Sequence, residues 1–255
     1  MATLKRSASK VITLPNGHSP NNSLNILHLI IPVHAPSAGW SALLESRCEE
    51  LRTSVNKSVE IKPIMVVDGP VSEAVKKDID GFISRGWELI WLAENQGKGE
   101  ALRRGTLRID SGFMLFTDVD MPYSCASMQA IIASLLEGAD VVFGKRNKKY
   151  LQALPLQRRL ISSLLKLFNK RLLRLKHPDT QCGLKGFSLK GMECLLATKT
   201  KSFSFDIELA LLASKKKEIC WQAVDVELRE GIVFREMNLA VLKHELRNLW
   251  EIIKK

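Results

Sequence analysis

Apolar residues first gather in a nearly unbroken run from Asn25 to Val33 (Asn-Ile-Leu-His-Leu-Ile-Ile-Pro-Val). A run that does not alternate predicts a strand buried on both faces, as in parallel sheets. From Trp40 to Val55 the period changes, with Leu43, Leu44, Cys48 and Leu51 at helical spacing. A second strand over Ile61 to Val67 ends at the turn Asp68-Gly69-Pro70. A charged helix over 71–84, a short strand over 87–92 and the loop Glu94 to Gly99 follow. That loop opens a helix running to about Ile109. Then come a strand over 112–116, a helix over 124–137 and a strand over 140–143. This alternation predicts an α/β fold with a mostly parallel central sheet flanked by helices. Ligands of such sheets bind at the carboxyl ends of the strands. His34, Asp68, Asn95 to Gly99, Asp118 and Asp120 fall there.

Beyond residue 145 the pattern changes to a long basic helix, the segment Cys182 to Leu189, and then helix, strand and helix. Over 151–175, Leu160, Ile161, Leu164, Leu165, Phe168, Leu172 and Leu175 share one face, with Arg159, Lys166, Lys170 and Arg174 opposite. A C-terminal amphipathic helix over 236–255 sets Leu242, Leu246, Leu249, Trp250 and Ile253 against Lys243, Arg247 and Lys254. Residues 1–23, polar with Pro15, Gly17 and Pro20, are expected to be a disordered lead-in. The main domain is expected over 24–235.

Charge sharpens this picture. The net charge is +11, and the segment from Lys145 to Lys176 holds eleven Lys or Arg and no Asp or Glu. Such a block implies an anionic partner: nucleic acid, a phospholipid surface or a phosphorylated substrate. Basic amphipathic helices can lie in a membrane interface, whereas no apolar run reaches the ~18 residues that span a bilayer. Only Tyr150 and Phe168 interleave the basic residues, which is poor support for base stacking, so no nucleic acid is expected. Five scattered cysteines without a Cys-x-x-Cys pair suit reduced thiols in a cytoplasmic protein.

Asp118-Val119-Asp120 follows the apolar strand ending at Phe116. Two carboxylates one residue apart can share Mg²⁺ or Mn²⁺, hard ions that prefer oxygen and leave positions open for phosphate. The same spacing also arises in helix caps and solvated loops. Asn95-Gln96-Gly97-Lys98-Gly99 is a glycine-rich loop entering a helix, suited to anions. It lacks the Ser or Thr of a P-loop, so ATP hydrolysis is not indicated. A nucleotidyltransferase on a related fold would place a basic Gly-rich loop after the first strand, where this chain has His34 to Gly39.

Seven segments in order resemble glycosyltransferase family 2, especially the branch that transfers sugars to polyprenyl phosphates (dolichyl-phosphate mannose or glucose synthases). They are Ile30 to His34, Val66 to Gly69, Asn95 to Gly99, Phe116 to Pro122, Val141 to Arg146, Asp179 to Lys185 and Phe205 to Glu208. The resemblance covers roughly residues 25 to 230 and implies the GT-A fold and an inverting, metal-dependent transfer from a nucleotide-sugar. It implies that Pro32, His34 and Asp68 lie toward base and ribose, and Lys98 over the nucleotide. It assigns Asp118 and Asp120 to Mg²⁺ or Mn²⁺ and the diphosphate, and Arg146 to phosphate. It makes Asp179, Gln181 and Asp206 the expected catalytic residues, the first two in the acceptor-side motif, with Asp206 and Glu208 in a later acidic motif near the active site. The family's usual aromatic-Asn-Glu after the first strand is replaced by His34-Ala35-Pro36, and its second aspartate by Gly69. Nucleotide preference is therefore not carried over. The expected acceptor is a lipid phosphate, with the protein peripheral on the cytoplasmic face of a membrane. A sugar-hydroxyl acceptor, needing a carboxylate base near 179 or 206, is the alternative, and a non-catalytic relative whose basic block binds nucleic acid is a further one.

Overall fold

In the computed structural model, which describes residues 24–232 except Pro178 and Phe203, β1 (Asn25–Val33) runs through the interior of the sheet. It is followed by α1 (Trp40–Ser54), β2 (Val59–Asp68), α2 (Glu73–Ser84), β3 (Glu88–Leu92), α3 (Lys98–Thr106), β4 (Phe113–Phe116), α4 (Cys125–Leu136) and β5 (Val141–Arg146). The second half adds α5 (Lys148–Ala153), α6 (Leu156–Arg171), β6 (Lys185–Phe187), α7 (Leu189–Leu196), α8 (Phe205–Lys215) and β7 (Trp221–Val226). The strand order is β3-β2-β1-β4-β6-β5-β7. Pairing is parallel between β1 and its neighbours β2 and β4, β2 and β3, and β5 and β7.

Alternation along each strand builds two cores. Leu27, Leu29, Ile31 and Val33 of β1, with Met65, Val67, Leu115 and Val142, meet Trp40, Leu44, Phe82, Met128 and Ile131 of α1, α2 and α4. The intervening residues Ile30, Ile64, Val66, Met114, Phe116 and Phe143 face Ala101, Leu102, Met192 and Leu209 of α3, α7 and α8. Burying each such side chain contributes roughly 1.5–3 kcal/mol, so the strands are fixed with both faces covered and their carboxyl ends free.

The mostly parallel sheet expected from the sequence is observed with one exception, and two expectations about helices are corrected. The short strand β6 lies antiparallel between β4 and β5, within an otherwise parallel sheet, because it enters from the loop crossing the strand ends. The basic helix expected over 151–175 divides at Leu154-Pro155, where extended Leu154 (ψ 144°) caps α5 and α6 begins at Leu156. A residue before proline is disfavoured in the helical region, which accounts for the break. Two helices, α7 and α8, precede β7 where one was expected. The expected lead-in over 1–23 and the helix over 236–255 lie outside the described residues.

α6 packs in the less obvious sense. Ser162 and Asn169 of its polar side are buried, whereas Leu156, Leu160, Leu164 and Leu167 are 77%, 63%, 57% and 48% exposed. Its leucine row faces outward.

Candidate active site

His34, Asp68, Asn95, Asp118 and Arg146 all stand at or just past the carboxyl ends of parallel strands. At the ends of β1 and β2, His34 Nδ1–H donates to the Asp68 carbonyl (2.8 Å) while Asn95 Nδ2 donates to His34 Nε2 (3.1 Å). The Asp68 carboxylate is buried and accepts the backbone N–H of Gln96 (2.7 Å) and of Gly97 (2.9 Å). Asp68 thus holds the glycine loop by its amides. Pro32 lies half-buried on β1, opposite Val66.

That loop is pressed from behind. Glycine is required at 97 and 99, where a Cβ would fall 2.6 Å from the Lys201 carbonyl and 2.5 Å from the Thr200 carbonyl. Gly99 N–H donates to Lys201 O (2.7 Å), and Arg103 donates to Thr198 Oγ1 and Thr200 O (2.9 and 3.0 Å). Glu208 accepts the amides of Lys199 and Thr200 (2.9 and 2.8 Å). Glu208 therefore supports the 198–201 loop, which in turn fixes the start of α3.

Lys98, the first residue of α3, reaches Asp118 Oδ1 at 2.5 Å and lies over the Phe116 ring, 4.8 Å from its centroid. Burial opposes its charge, but Asp118 and Asp206 outweigh this and hold the ammonium above its ordinary pKa. The other Asp118 oxygen rests against Gly183, where a Cβ would fall only 2.1 Å away. The neighbouring Tyr123 hydroxyl accepts the Gly183 N–H (2.7 Å). Asp120 follows through a turn closed by Met121 N–H to Asp118 O (2.8 Å), and Arg47 donates to the Asp120 carbonyl. Burial and the Asp118 charge push the Asp120 carboxyl up, so the two acids share one electrostatic neighbourhood.

A second charge cluster surrounds Asp179. Asp179 accepts from Arg146 Nη2 (2.5 Å), Arg146 Nε (3.0 Å) and Arg146 N (2.8 Å), and pairs with Lys166 Nζ (2.8 Å). Burial raises its pKa, yet Arg146 and Lys166 prevail and keep it below the carboxylate range. A carboxylate saturated by two cations is a poor base; its geometry suits it to holding those cations. Asn169 of α6 donates to Thr180 Oγ1 (3.2 Å), tying the helix to the same loop. Gln181 is half-buried, and its Nε2 finds no hydrogen-bond partner among the described residues.

Asp206 on α8 is buried and pairs with Lys185 Nζ (2.8 Å). Lys185 is fully buried, donates to the Cys182 carbonyl, and sits 5.6–5.9 Å from the ring centroids of Phe116, Phe143 and Phe205. Burial raises the Asp206 pKa against the pull of Lys185 and Lys98. Sequence reasoning gave no role to Lys166, Lys185 or Gly183. Lys185 and Gly183 lay inside a quoted motif; Lys166 gave no signal, because helical spacing put it on the solvent side.

The family model "Glycosyl transferase family 2" matches residues 40–196, more than half of the chain. The chain belongs to glycosyltransferase family 2. Among curated proteins it is similar to the dolichyl-phosphate beta-glucosyltransferase of Dictyostelium discoideum, 24% identical over 203 residues, 74% of this chain and 62% of that one. The match therefore spans less than two thirds of that relative. The protein of the same name from Saccharomyces cerevisiae is 26% identical over 249 residues, 85% of this chain and 72% of that one. Among solved structures it resembles glucosyl-3-phosphoglycerate synthase from Mycobacterium tuberculosis (TM-score 0.59, 17% identity, 90% of this chain and 78% of that one). It also resembles mannosyl-3-phosphoglycerate synthase from Rubrobacter xylanophilus (TM-score 0.58, 11% identity, 90% and 73%). These likenesses establish the GT-A type of fold expected from the sequence. Another structure of the Mycobacterium enzyme contains Mn²⁺ and UDP-glucose (TM-score 0.55, 17% identity, 90% and 78%).

Proposed function

We propose that this glycosyltransferase moves a hexose, glucose by analogy with the curated relatives, from a nucleotide-sugar to a polyprenyl phosphate at an anionic membrane surface. One observation carries the reading. Arg146 and Lys166, gathered on Asp179, lie behind a helix whose outer side is a row of exposed leucines. A phosphate monoester on a long apolar chain has those two needs, cations for its head and a lipid-facing surface beside it. Arg146 and Lys166 turn inward to Asp179, while the exposed leucines share the surface with the exposed Lys170 and Arg171, a mixed apolar and basic face suited to an anionic bilayer.

The chemistry asks little of the protein beyond placement. An oxygen of the lipid phosphate, already anionic, attacks the anomeric carbon; the bond from that carbon to the diphosphate breaks on the opposite face. The configuration inverts and nucleoside diphosphate leaves. No base is needed, which fits an Asp179 engaged with two cations. Asp118 and Asp120 offer only oxygen donors, and Gly183 leaves the space beside Asp118 free of a Cβ. Among the described residues no cluster of three or more His, Cys, Asp or Glu could hold a metal alone. The pair fits Mg²⁺ or Mn²⁺ completed by phosphate oxygens and water. Bound there, the ion would offset charge on the departing diphosphate. Lys98 and the amide-held loop orient the donor, and Arg146 with Lys166 orients the acceptor.

No helix of the described residues is long and apolar enough to cross a membrane, so contact through α6 would be peripheral. The test is transfer of radiolabelled sugar from UDP-, GDP- and dTDP-sugars into a polyprenyl phosphate in vesicles, with Mg²⁺ or Mn²⁺. Label is expected in the organic phase with one donor. EDTA should abolish it, and Asp120→Ala should lower it on the order of a hundredfold or more with the fold intact. Label found only on water-soluble acceptors would overturn the acceptor reading, and full activity in EDTA the metal reading.

A further inference from the structure

The segment just past the two acids is held from several sides. Met121, buried and not a glycine, sits at φ +35°, a backbone conformation that persists only where its surroundings impose it. Arg47 of α1 donates to the Asp120 and Met121 carbonyls. Beyond β7 the chain crosses the same segment. Tyr123 forms an antiparallel bridge with Leu228, Ser124 N–H donates to Glu227 O (2.9 Å), and Arg229 N–H donates to Pro122 O (2.9 Å). Held in this frame, the Tyr123 side chain is buried against Cys182 and Gly183.

We propose that Tyr123 is a positioning residue for Asp118 and acts through Gly183. The inference rests on the reading that Asp118 serves the donor and its metal. The Tyr123 hydroxyl accepts the Gly183 N–H at 2.7 Å. A Cβ on Gly183 would fall 2.1 Å from Asp118 Oδ2 and 3.2 Å from the Tyr123 oxygen. Carboxylate and phenol thus flank one residue, and the place of Gly183 decides where Asp118 can lie. Tyr123 is itself fixed: its side chain hydrogen-bonds to Cys182 and Tyr150, and its ring stacks on Tyr150 with centroids 6.2 Å apart. Without the hydroxyl, the buried Gly183 amide would be a donor deprived of its acceptor, a costly state that a turn of the backbone relieves. Asp118, already against Gly183, is the acid at hand. An amide turned onto Asp118 Oδ2 occupies that oxygen and draws the carboxylate from its place.

The test compares wild type with Tyr123→Phe and Tyr123→Met, which fill the space without a hydroxyl, each checked by a thermal melt. Two side chains guard against one variant failing to fold. Mn²⁺ binding with UDP, GDP or dTDP is followed by loss of the free-ion electron paramagnetic resonance signal. Turnover is measured against Mn²⁺ and against polyprenyl phosphate. Mn²⁺ affinity should weaken roughly ten- to a hundredfold, the scale seen when a group supporting a metal ligand is removed. The Mn²⁺ needed for half-maximal turnover should rise in step, while KM for polyprenyl phosphate stays nearly constant. A general loss of packing would not single out the metal dependence. Variants that bind Mn²⁺ like wild type, or whose acceptor KM rises as far as their metal requirement, overturn the role of Tyr123 alone. Wild type that binds no Mn²⁺ with any of the three nucleotides overturns the metal reading of Asp118, and the positioning with it.

Discussion

Replacing Leu160 and Leu164 by glutamate should release the protein from anionic vesicles and leave its fold intact. The two side chains are 63% and 57% exposed. Full burial of a leucine is worth roughly 1.5–3 kcal/mol, so insertion of the remaining surface yields about 1–2 kcal/mol from each. Two leucines then account for about 2–4 kcal/mol, roughly 30-fold to several hundredfold in partitioning. Each new carboxylate near an anionic surface adds on the order of 1 kcal/mol of repulsion. The folded state loses little, since surface substitutions are usually within about 0.5 kcal/mol and glutamate suits helices. The assay is flotation on a density gradient with phosphatidylcholine–phosphatidylserine vesicles, beside a thermal melt. Leu160→Lys with Leu164→Lys separates the two driving forces: attraction by charge alone predicts firmer binding, apolar insertion predicts weaker. Glutamate variants that float like wild type refute the docking face. A melt lowered by many degrees shows instead that the leucines pack against protein.

Two further outcomes follow from the site. Gly183→Ala puts a Cβ 2.1 Å from Asp118 Oδ2, forcing the carboxylate aside by about 1 Å; misplacement of that size can cost about 10²-fold in rate. Overpacking adds roughly 1–3 kcal/mol of destabilisation, so donor turnover should collapse in a protein that still melts cooperatively, and near-normal kcat removes Asp118 from the chemistry. Asp179→Asn breaks a buried pair with Arg146 and Lys166 and should cost about 3–5 kcal/mol. Since these cations depress the folded-state pKa of Asp179, its contribution is full above the ordinary carboxylate value of about 4 and fades as pH falls below it. The wild-type advantage in melting temperature should thus be constant near neutrality and shrink in acid; an advantage that grows in acid contradicts the assignment.

The alternation of strands and helices was legible because β1, β2 and β4 are buried on both faces and carry no competing pattern. The positions at their carboxyl ends followed from that topology. Periodicity, however, reports that a helix has two faces and not which one looks inward. For α6 the deciding partner is Asp179, which draws Lys166 in and turns the leucines out. The reversal of β6 was illegible for a related reason: three residues, Lys185–Phe187, carry no periodic signal, and their direction is set by neighbouring strands. Asp68 shows the limit of motif reading. Its place at the end of β2 was foreseen, but both its oxygens serve loop amides whose position depends on the packed 198–201 segment.

The formal charges of the site divide unevenly between its two halves. Around Asp118 and Asp120 the cations Lys98 and Arg47 balance the two carboxylates. Asp206 and Lys185 cancel. Asp179 faces both Arg146 and Lys166 and leaves one positive charge there. On the proposed function, a nucleotide-sugar diphosphate would find no surplus positive charge on the balanced half unless a cation came with it, whereas a phosphate monoester would be drawn to the positive half without one. In a partly buried site these preferences are far stronger than in water. The two anionic substrates of the proposed reaction would thereby be kept apart by the protein's own charges: the donor would enter with a counter-ion, and the acceptor phosphate would approach from the half whose cations are in excess.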